Sequence, residues 1–289
     1  MSPNRAASVH ERLLNLARAQ GEDFNRTLDR YAVERWLYRL SQSTAREQLW
    51  LKGALLFHLW FDLPHRPTRD ADFLGFGQAD ADELSKLVQT VCRVEADDGM
   101  SFDSTSISVE ETREQTAYGG LRVRLVGYLG KARCPVQLDV GYGDAVTPGA
   151  EEAEIPTLLD DVPAPHLIVY PRATVFAEKL EAITSLGMAN TRMKDFFDLR
   201  ALVQEGSLDI EVLGEAIAAT FARRGTMMPE ALPIGLSEEF AQDASKRSQW
   251  LAFIDRNGLD ALALEQVVAE IGAFVVEPFS RARQRADRQ

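Results

Sequence analysis

The feature that most constrains this chain is a change of texture near Pro165. Before it, Leu121-Arg-Val-Arg-Leu-Val126 and Val136-Gln-Leu-Asp-Val140 alternate apolar with polar residues, as half-buried antiparallel strands do. After it, Thr174 to Leu186, Met193 to Gln204, Asp209 to Arg223, Glu238 to Ile254 and Leu262 to Val276 place apolar residues at helical spacing, with few strand signals. A sheet-bearing half is therefore followed by a helical half. Between them, Gly143 to Pro165 is acidic and rich in proline and reads as a loop crossing between regions.

The sheet-bearing half opens with two helical patterns, Ala7 to Gln20 and Phe24 to Leu40. Leu49-Trp-Leu-Lys52 then reads as a short strand ending at Gly53, and Ala54 to Trp60 as a short buried helix stopped before Pro64. Ala71-Asp-Phe-Leu-Gly75 reads as another strand, leading to a helix from about Asp80 to Val94, and Ser106 to Glu110 as a further strand. The fold class expected is α/β (α+β) with a mixed sheet. There are no internal repeats or low-complexity tracts.

Composition narrows the function. With 289 residues, 45% hydrophobic and 26% charged, the chain has material for a sizeable core in one large or two modest domains. No stretch approaches the roughly 18 apolar residues of a membrane span, and the start lacks the apolar segment of a secretory signal, so a cytoplasmic protein without membrane partners is expected. Cys92 and Cys134 are too few for a disulfide framework and lack metal-ligand spacing with the four histidines. A net charge of −12 opposes indiscriminate binding to nucleic acid. Local basic clusters still leave room for a focused groove: Arg66 and Arg69; Arg122, Arg124, Lys131 and Arg133; Arg192 and Lys194; Arg223 and Arg224.

The chemistry centres on Arg66-Pro-Thr-Arg-Asp-Ala-Asp72. On a strand, Asp70 and Asp72 send both carboxylates to one face, where they can share a metal ion. Magnesium takes hard oxygen ligands, commonly one or two carboxylates plus phosphate oxygens, so the pair suits phosphoryl or nucleotidyl transfer. Asp139, between Leu138 and Val140 in an alternating strand, is the best third ligand. An isolated Asp-x-Asp is more often a solvated strand edge. Upstream, Lys52-Gly53-Ala54 closes a strand and opens a helix, where backbone N–H groups can hold triphosphate oxygens. His58 and His65 bracket the loop before the acids without the partners of a nucleophilic dyad, and Trp50, Phe57 and Trp60 read as core.

Four segments taken in order, Lys52-Gly-Ala-Leu-Leu56, Arg66-Pro-Thr-Arg-Asp-Ala-Asp72, Phe176-Ala-Glu-Lys-Leu-Glu-Ala182 and Lys194-Asp-Phe-Phe-Asp-Leu199, resemble the AbiEii/AbiGii-type nucleotidyltransferase toxins of bacterial abortive infection and type IV toxin–antitoxin systems, including MenT-like toxins. The resemblance spans roughly residues 48 to 205. It implies a DNA polymerase β-like nucleotidyltransferase core over 46–165, with N-terminal helices over 1–45 packing on it. A helical C-terminal domain over 166–289 would complete the active site. It further implies NTP as substrate, magnesium as cofactor, the 3′ end of tRNA as acceptor and an AbiEi-like antitoxin as partner. Alternatives are transfer to a protein or small molecule, which suits the acidic surface better, and an inactive nucleotide-binding protein of the same fold.

By that resemblance Asp70 and Asp72 hold magnesium, Lys179 contacts the nucleotide phosphates and Asp195 is the further active-site acid. The residues alone also allow Lys179 a solvated or ion-paired helical position. Asp195 and Asp198, three apart on a helix, equally suit an ordinary amphipathic helix with acids near its N-terminus. Asp195 is the candidate for positioning or deprotonating the attacking hydroxyl, with Asp198 in structural support. Relatives commonly carry Gly, Ser or Thr where Ala54 follows Gly53, so phosphate binding here leans on backbone N–H groups or on Thr68. Thr68 is equally a turn residue with a locally bonded hydroxyl; phosphorylating it would add negative charge where a triphosphate binds. The candidate NTP-binding set is Lys52, Gly53, Ala54, Thr68, Arg69 and Lys179.

Overall fold

The structure, a computed structural model, describes residues 3–61, 68, 70–112, 119–260 and 262–286. The chain divides into two compact units, Met1–Gly143 with Glu151–Val169, and Asp144–Ala150 with Tyr170–Gln289.

The first unit is a mixed sheet with helices. Its elements are α1 (Pro3–Gln20), α2 (Phe24–Ser41), β1 (Leu49–Lys52), α3 (Phe57–Trp60), β2 (Asp70–Gly75), α4 (Ala81–Cys92), β3 (Met100–Thr112), β4 (Gly120–Leu129), β5 (Ala132–Tyr142), β6 (Glu151–Glu154) and β7 (His166–Val169). The seven strands run in the order β3-β4-β5-β2-β1-β7-β6. β2 lies parallel to β5 and β1 parallel to β7, and the other neighbours are antiparallel. β4 and β5 alternate as their sequences require, and they meet at the turn Gly130-Lys131, where Leu129 opposes Ala132 and Gly130 takes a positive φ.

Helix α2 explains why its apolar pattern is diluted: it is buried on most sides and carries charged residues inward. Arg39 donates to both carboxylate oxygens of Asp98, at 2.7 and 3.0 Å, and to the Arg35 and Met100 carbonyls, so a buried guanidinium is satisfied on four acceptors. Trp36, on the same helix, meets Phe73 of β2 edge to face. One face of β2 is thereby committed to the core.

The expected loop from Gly143 to Pro165 contains a strand. β6 pairs antiparallel with β7, matching Glu151 to Val169 and Glu154 to His166. Glu-Glu-Ala-Glu has no apolar face to show period two, because β6 is a solvated edge strand whose stability comes from its partner's backbone. β7, at the start of the half expected to be helical, is a buried apolar run in the sheet.

The second unit is helical: α5 (Arg172–Leu186), α6 (Met193–Glu205), α7 (Ile210–Arg224), α8 (Glu238–Gln242), α9 (Ala244–Asn257) and α10 (Leu264–Ala286). Its core is built from residues such as Phe176, Leu180, Phe196, Leu213, Phe221, Ile271 and Phe279, all buried. The single helix expected over 238–254 is two. Asp243 ends α8 and caps α9, its side chain accepting from the Lys246 N–H at 2.9 Å. α10 continues through Pro278, past the expected end at Val276. Among the described residues no helix is long and apolar enough to cross a membrane.

Candidate active site

The acid pair stands at the start of β2. Asp70 and Asp72 are half-buried, whereas Ala71 and Phe73 between and beyond them are fully buried, so the two carboxylates share the face opposite the core. Register then decides what surrounds them. Asp72 is opposite Lys52 on β1 and beside Asp139 on β5, and Asp139 is opposite Arg122 on β4. One row across four strands therefore reads Arg122, Asp139, Asp72, Lys52.

Two carboxylates side by side in a sheet repel, and something positive must offset them. Arg122 engages Asp139: its Nε and Nη2 donate to the two oxygens of that carboxylate at 2.7 and 2.8 Å. The oxygen donors of Asp70, Asp72 and Asp139 are of the type magnesium takes. Among the described residues no three acidic, histidine or cysteine side chains converge on a closed ion site. Asp139 lies beside Asp72, with its carboxylate turned to Arg122.

Gly53 is tied to the same carboxylate. Its φ is +75°, a region that costs other residues energy. A Cβ there would stand 2.3 Å from Asp72 Oδ2 and 2.9 Å from Asp72 Cβ, so the backbone closes on Asp72 in a space that only glycine leaves. The helical stretch expected over Ala54 to Trp60 is present, but it begins as a 3-10 turn, Gly53–Leu56, and only its last turn, α3, is α-helical. Few aligned peptides contribute, so any dipole offered to an anion is small. Ala54 is buried. Thr68 donates its hydroxyl to the Asp70 carbonyl at 3.4 Å, the local turn bond. Arg66, Arg69 and His65 lie outside the described residues.

In the helical unit, Lys179 of α5 meets both acids of α6. Its Nζ is 2.9 Å from Asp195 Oδ1 and 2.7 Å from Asp198 Oδ2, and both acids have no exposed surface. The i, i+3 spacing on α6 is what turns the two carboxylates to one side. Arg192 closes the cluster, its Nε donating to Asp195 Oδ2 at 2.7 Å. Burial alone would raise the Asp195 pKa; the Lys179 ammonium and the Arg192 guanidinium outweigh it and hold the carboxyl below its usual range. With both oxygens engaged, Asp195 is built to hold Lys179. Asp198, assigned to support from sequence, binds the same ammonium just as closely.

Four of the clustered arginines, Arg122, Arg124, Arg192 and Arg224, are engaged by the protein's own acids. Arg124 pairs with Glu110 at 2.8 Å. Arg224 binds Glu181 at 2.8 Å and Asp144 at 3.2 Å, and although burial opposes its charge, Glu178, Asp144 and Glu181 together drive its pKa up. Composition marked these arginines without their partners, which come from strands and helices far along the chain.

A sequence profile of the family described as "Nucleotidyl transferase AbiEii toxin, Type IV TA system" matches residues 35–277. The chain belongs to the AbiEii family. That match runs from α2 to α10 and covers the Gly53 turn, the acid pair, Lys179 and the acids of α6. The crystal structure of JHP933 from Helicobacter pylori is similar at a TM-score of 0.50 and 15% identity, over 91% of this chain and 95% of that one. A candidate nucleotidyltransferase from H. pylori gives 0.47 and 16%, over 90% and 96%. No curated protein matches significantly. The AbiEii chain is thus a member of a nucleotidyltransferase toxin family, with the mixed sheet and helical C-terminal part expected from its resemblance to such toxins.

Proposed function

We propose that this AbiEii protein transfers a nucleoside monophosphate from an NTP to the 3′ end of tRNA, blocking translation, in the presence of magnesium and under restraint by an AbiEi-like antitoxin. The observation that carries the chemistry is the row Arg122, Asp139, Asp72, Lys52, in which two carboxylates stand side by side with Asp70 on the same face. Such a charge arrangement is expensive in an idle surface and useful where a cation and phosphates must bind.

In the transfer, an acceptor hydroxyl oxygen forms a bond to the α-phosphorus, and the bond from that phosphorus to the bridging oxygen of pyrophosphate breaks. The hydroxyl proton passes to solvent as the bond forms, and pyrophosphate leaves with the electron pair of the broken bond. Magnesium, when bound, neutralises phosphate charge as a Lewis acid; Asp70, Asp72 and, by position, Asp139 would hold it. Gly53 keeps Asp72 in place and lets the backbone approach. Lys179, fixed by Asp195 and Asp198, is the group proposed to neutralise triphosphate charge.

A second reading, transfer to a protein or small molecule, is favoured by the net charge of −12, which weakens attraction to RNA. The test is to incubate the protein with each labelled NTP, magnesium and total RNA or lysate, beside Asp70→Ala. Label entering tRNA supports the first reading and label entering protein the second. No label in any fraction would overturn both.

A further inference from the structure

Arg192 has a geometry that its role as an ion-pair partner does not exhaust. Its Nε is fixed on a carboxylate with no exposed surface, while the Arg192 side chain is itself 46% exposed. Among the described residues its two terminal amines meet no protein acceptor, since the Nε bond is the side chain's sole hydrogen bond there. The backbone is fixed as well: the Arg192 N–H donates to Asn190 Oδ1 at 2.8 Å, immediately before α6. A guanidinium held at Nε keeps its outer edge free as a planar fork, which suits two oxygens of one phosphate and loses little freedom on binding.

The surrounding charges point the same way. Asp195 and Asp198 are wholly buried, Lys179 keeps 11% of its side chain exposed, and Arg192 keeps the most. Negative charge is therefore turned inward and positive charge outward, although the four groups together are neutral. Lys179 and Arg192 each hold one oxygen of the same Asp195 carboxylate, so ammonium and guanidinium flank one spot. An ordinary surface pair places both charges in solvent; here only the cationic side is presented.

We propose that Arg192 is a phosphate-binding residue that works beside Lys179, its terminal amines taking two oxygens of a phosphate group. This rests on the nucleotidyl-transfer reading and deepens it by naming a binding group that the sequence placed only in a basic cluster. The phosphate comes either from the triphosphate of an NTP or from an RNA backbone, and the two sources separate experimentally.

The test measures the binding of NTP, of inorganic triphosphate and of tRNA to the wild type, Arg192→Ala and Arg192→Lys, with a thermal melt on each. For a triphosphate ligand, Arg192→Ala weakens NTP and inorganic triphosphate roughly 10- to 100-fold, as loss of a charged hydrogen-bonding group implies, and leaves tRNA within about twofold. For an RNA backbone the pattern reverses, and the salt dependence of tRNA binding becomes shallower. Arg192→Lys recovers part of the loss, since it keeps the charge without the fork. Affinities for all three probes within about twofold of wild type in folded Arg192→Ala would overturn the assignment. If label transfer is absent in the wild type while inorganic triphosphate still binds through Arg192, the transfer reading fails and this assignment stands. Normal transfer with unchanged affinities in Arg192→Ala sinks this assignment alone.

Discussion

The two units use the same chemical groups in opposite ways. On the sheet, Asp70, Asp72 and Asp139 are half-buried, and Asp72 and Asp139 are neighbours across strands, with Arg122 donating to Asp139. In the helical unit, Asp195 and Asp198 are fully buried and saturated by Lys179 and Arg192. Half-buried carboxylates at a sheet surface are accessible to a ligand. Buried ones with complete compensation are scaffolding for the cation they hold. The difference predicts that mutations in the first set harm activity without harming stability, and that mutations in the second harm both.

The largest effect should come from Asp72→Asn, which removes one charge of the adjacent pair. Transfer is expected to fall roughly 10³-fold, measured as label incorporated under saturating NTP, because the variant loses the carboxylate proposed to hold magnesium. The melting temperature should hold, since the residue is only half-buried and asparagine keeps its shape. A large fall in melting temperature would show that the sheet acids are structural and would break the contrast.

Asp198→Ala comes next. It leaves Lys179 with one fewer partner in a buried setting, where breaking a pair typically costs about 3–5 kcal/mol. Urea unfolding should report a loss of that order. Adding Lys179→Met should restore part of the stability and none of the transfer. A loss below about 1 kcal/mol in the single variant would place Asp198 with the exposed acids.

Glu34 sharpens the comparison by being buried without full compensation. Its Oε2 accepts the Leu158 N–H at 2.6 Å, and Arg35 lies 2.7 Å from Oε1. Burial raises its pKa from 4.5 to about 7, only partly opposed by Arg35 and that N–H. The folded state thus holds this proton more tightly than the unfolded chain. Its contribution is full below the unfolded value and is lost as pH rises through about 7, up to about 3 kcal/mol. Asp195 has the opposite sign: its pKa is held low, so its contribution is present above the ordinary Asp range and lost as pH falls below it. Glu34→Gln should melt higher than wild type at pH 8 and equally at pH 5. Parallel melting curves across that range would remove Glu34 from the comparison.

The sequence made some of this legible. Alternation of Leu138, Asp139 and Val140 was enough to turn Asp139 away from the core, and the two-residue step from Asp70 to Asp72 was enough to put both on one face. Helical spacing found α5, α6 and α7 within a few residues. What lay out of reach was set by register and partners. Nothing near Asp139 in sequence says that Asp72 is beside it or that Arg122 holds it, because those neighbours come from β2 and β4. β6 was invisible because an exposed edge strand of glutamates has no apolar side. Asp198 was undervalued because burial of a charge shows only once its counter-ion is in place.

Gly53→Ala has the smallest expected effect and joins the two kinds of information. Sequence marked the glycine as the end of a strand where a phosphate needs close backbone; structure adds that Asp72 occupies the space a side chain would take. The positive φ alone costs alanine about 1 kcal/mol. Contact with Asp72 Oδ2 can be eased by rotating the carboxylate, whereas the contacts at 2.9 Å to Asp72 Cβ and Cγ need a shift of β1 against β2. Stability should fall by about 1–2 kcal/mol, and transfer roughly tenfold, as a displaced ligand implies. The two losses should be separable: Gly53→Ala combined with Asp72→Asn should show the stability cost again but hardly any further loss of transfer, because the glycine acts on transfer through Asp72. If the two losses of transfer instead multiply, Gly53 serves the substrate directly through its backbone, and the sheet site extends beyond its carboxylates.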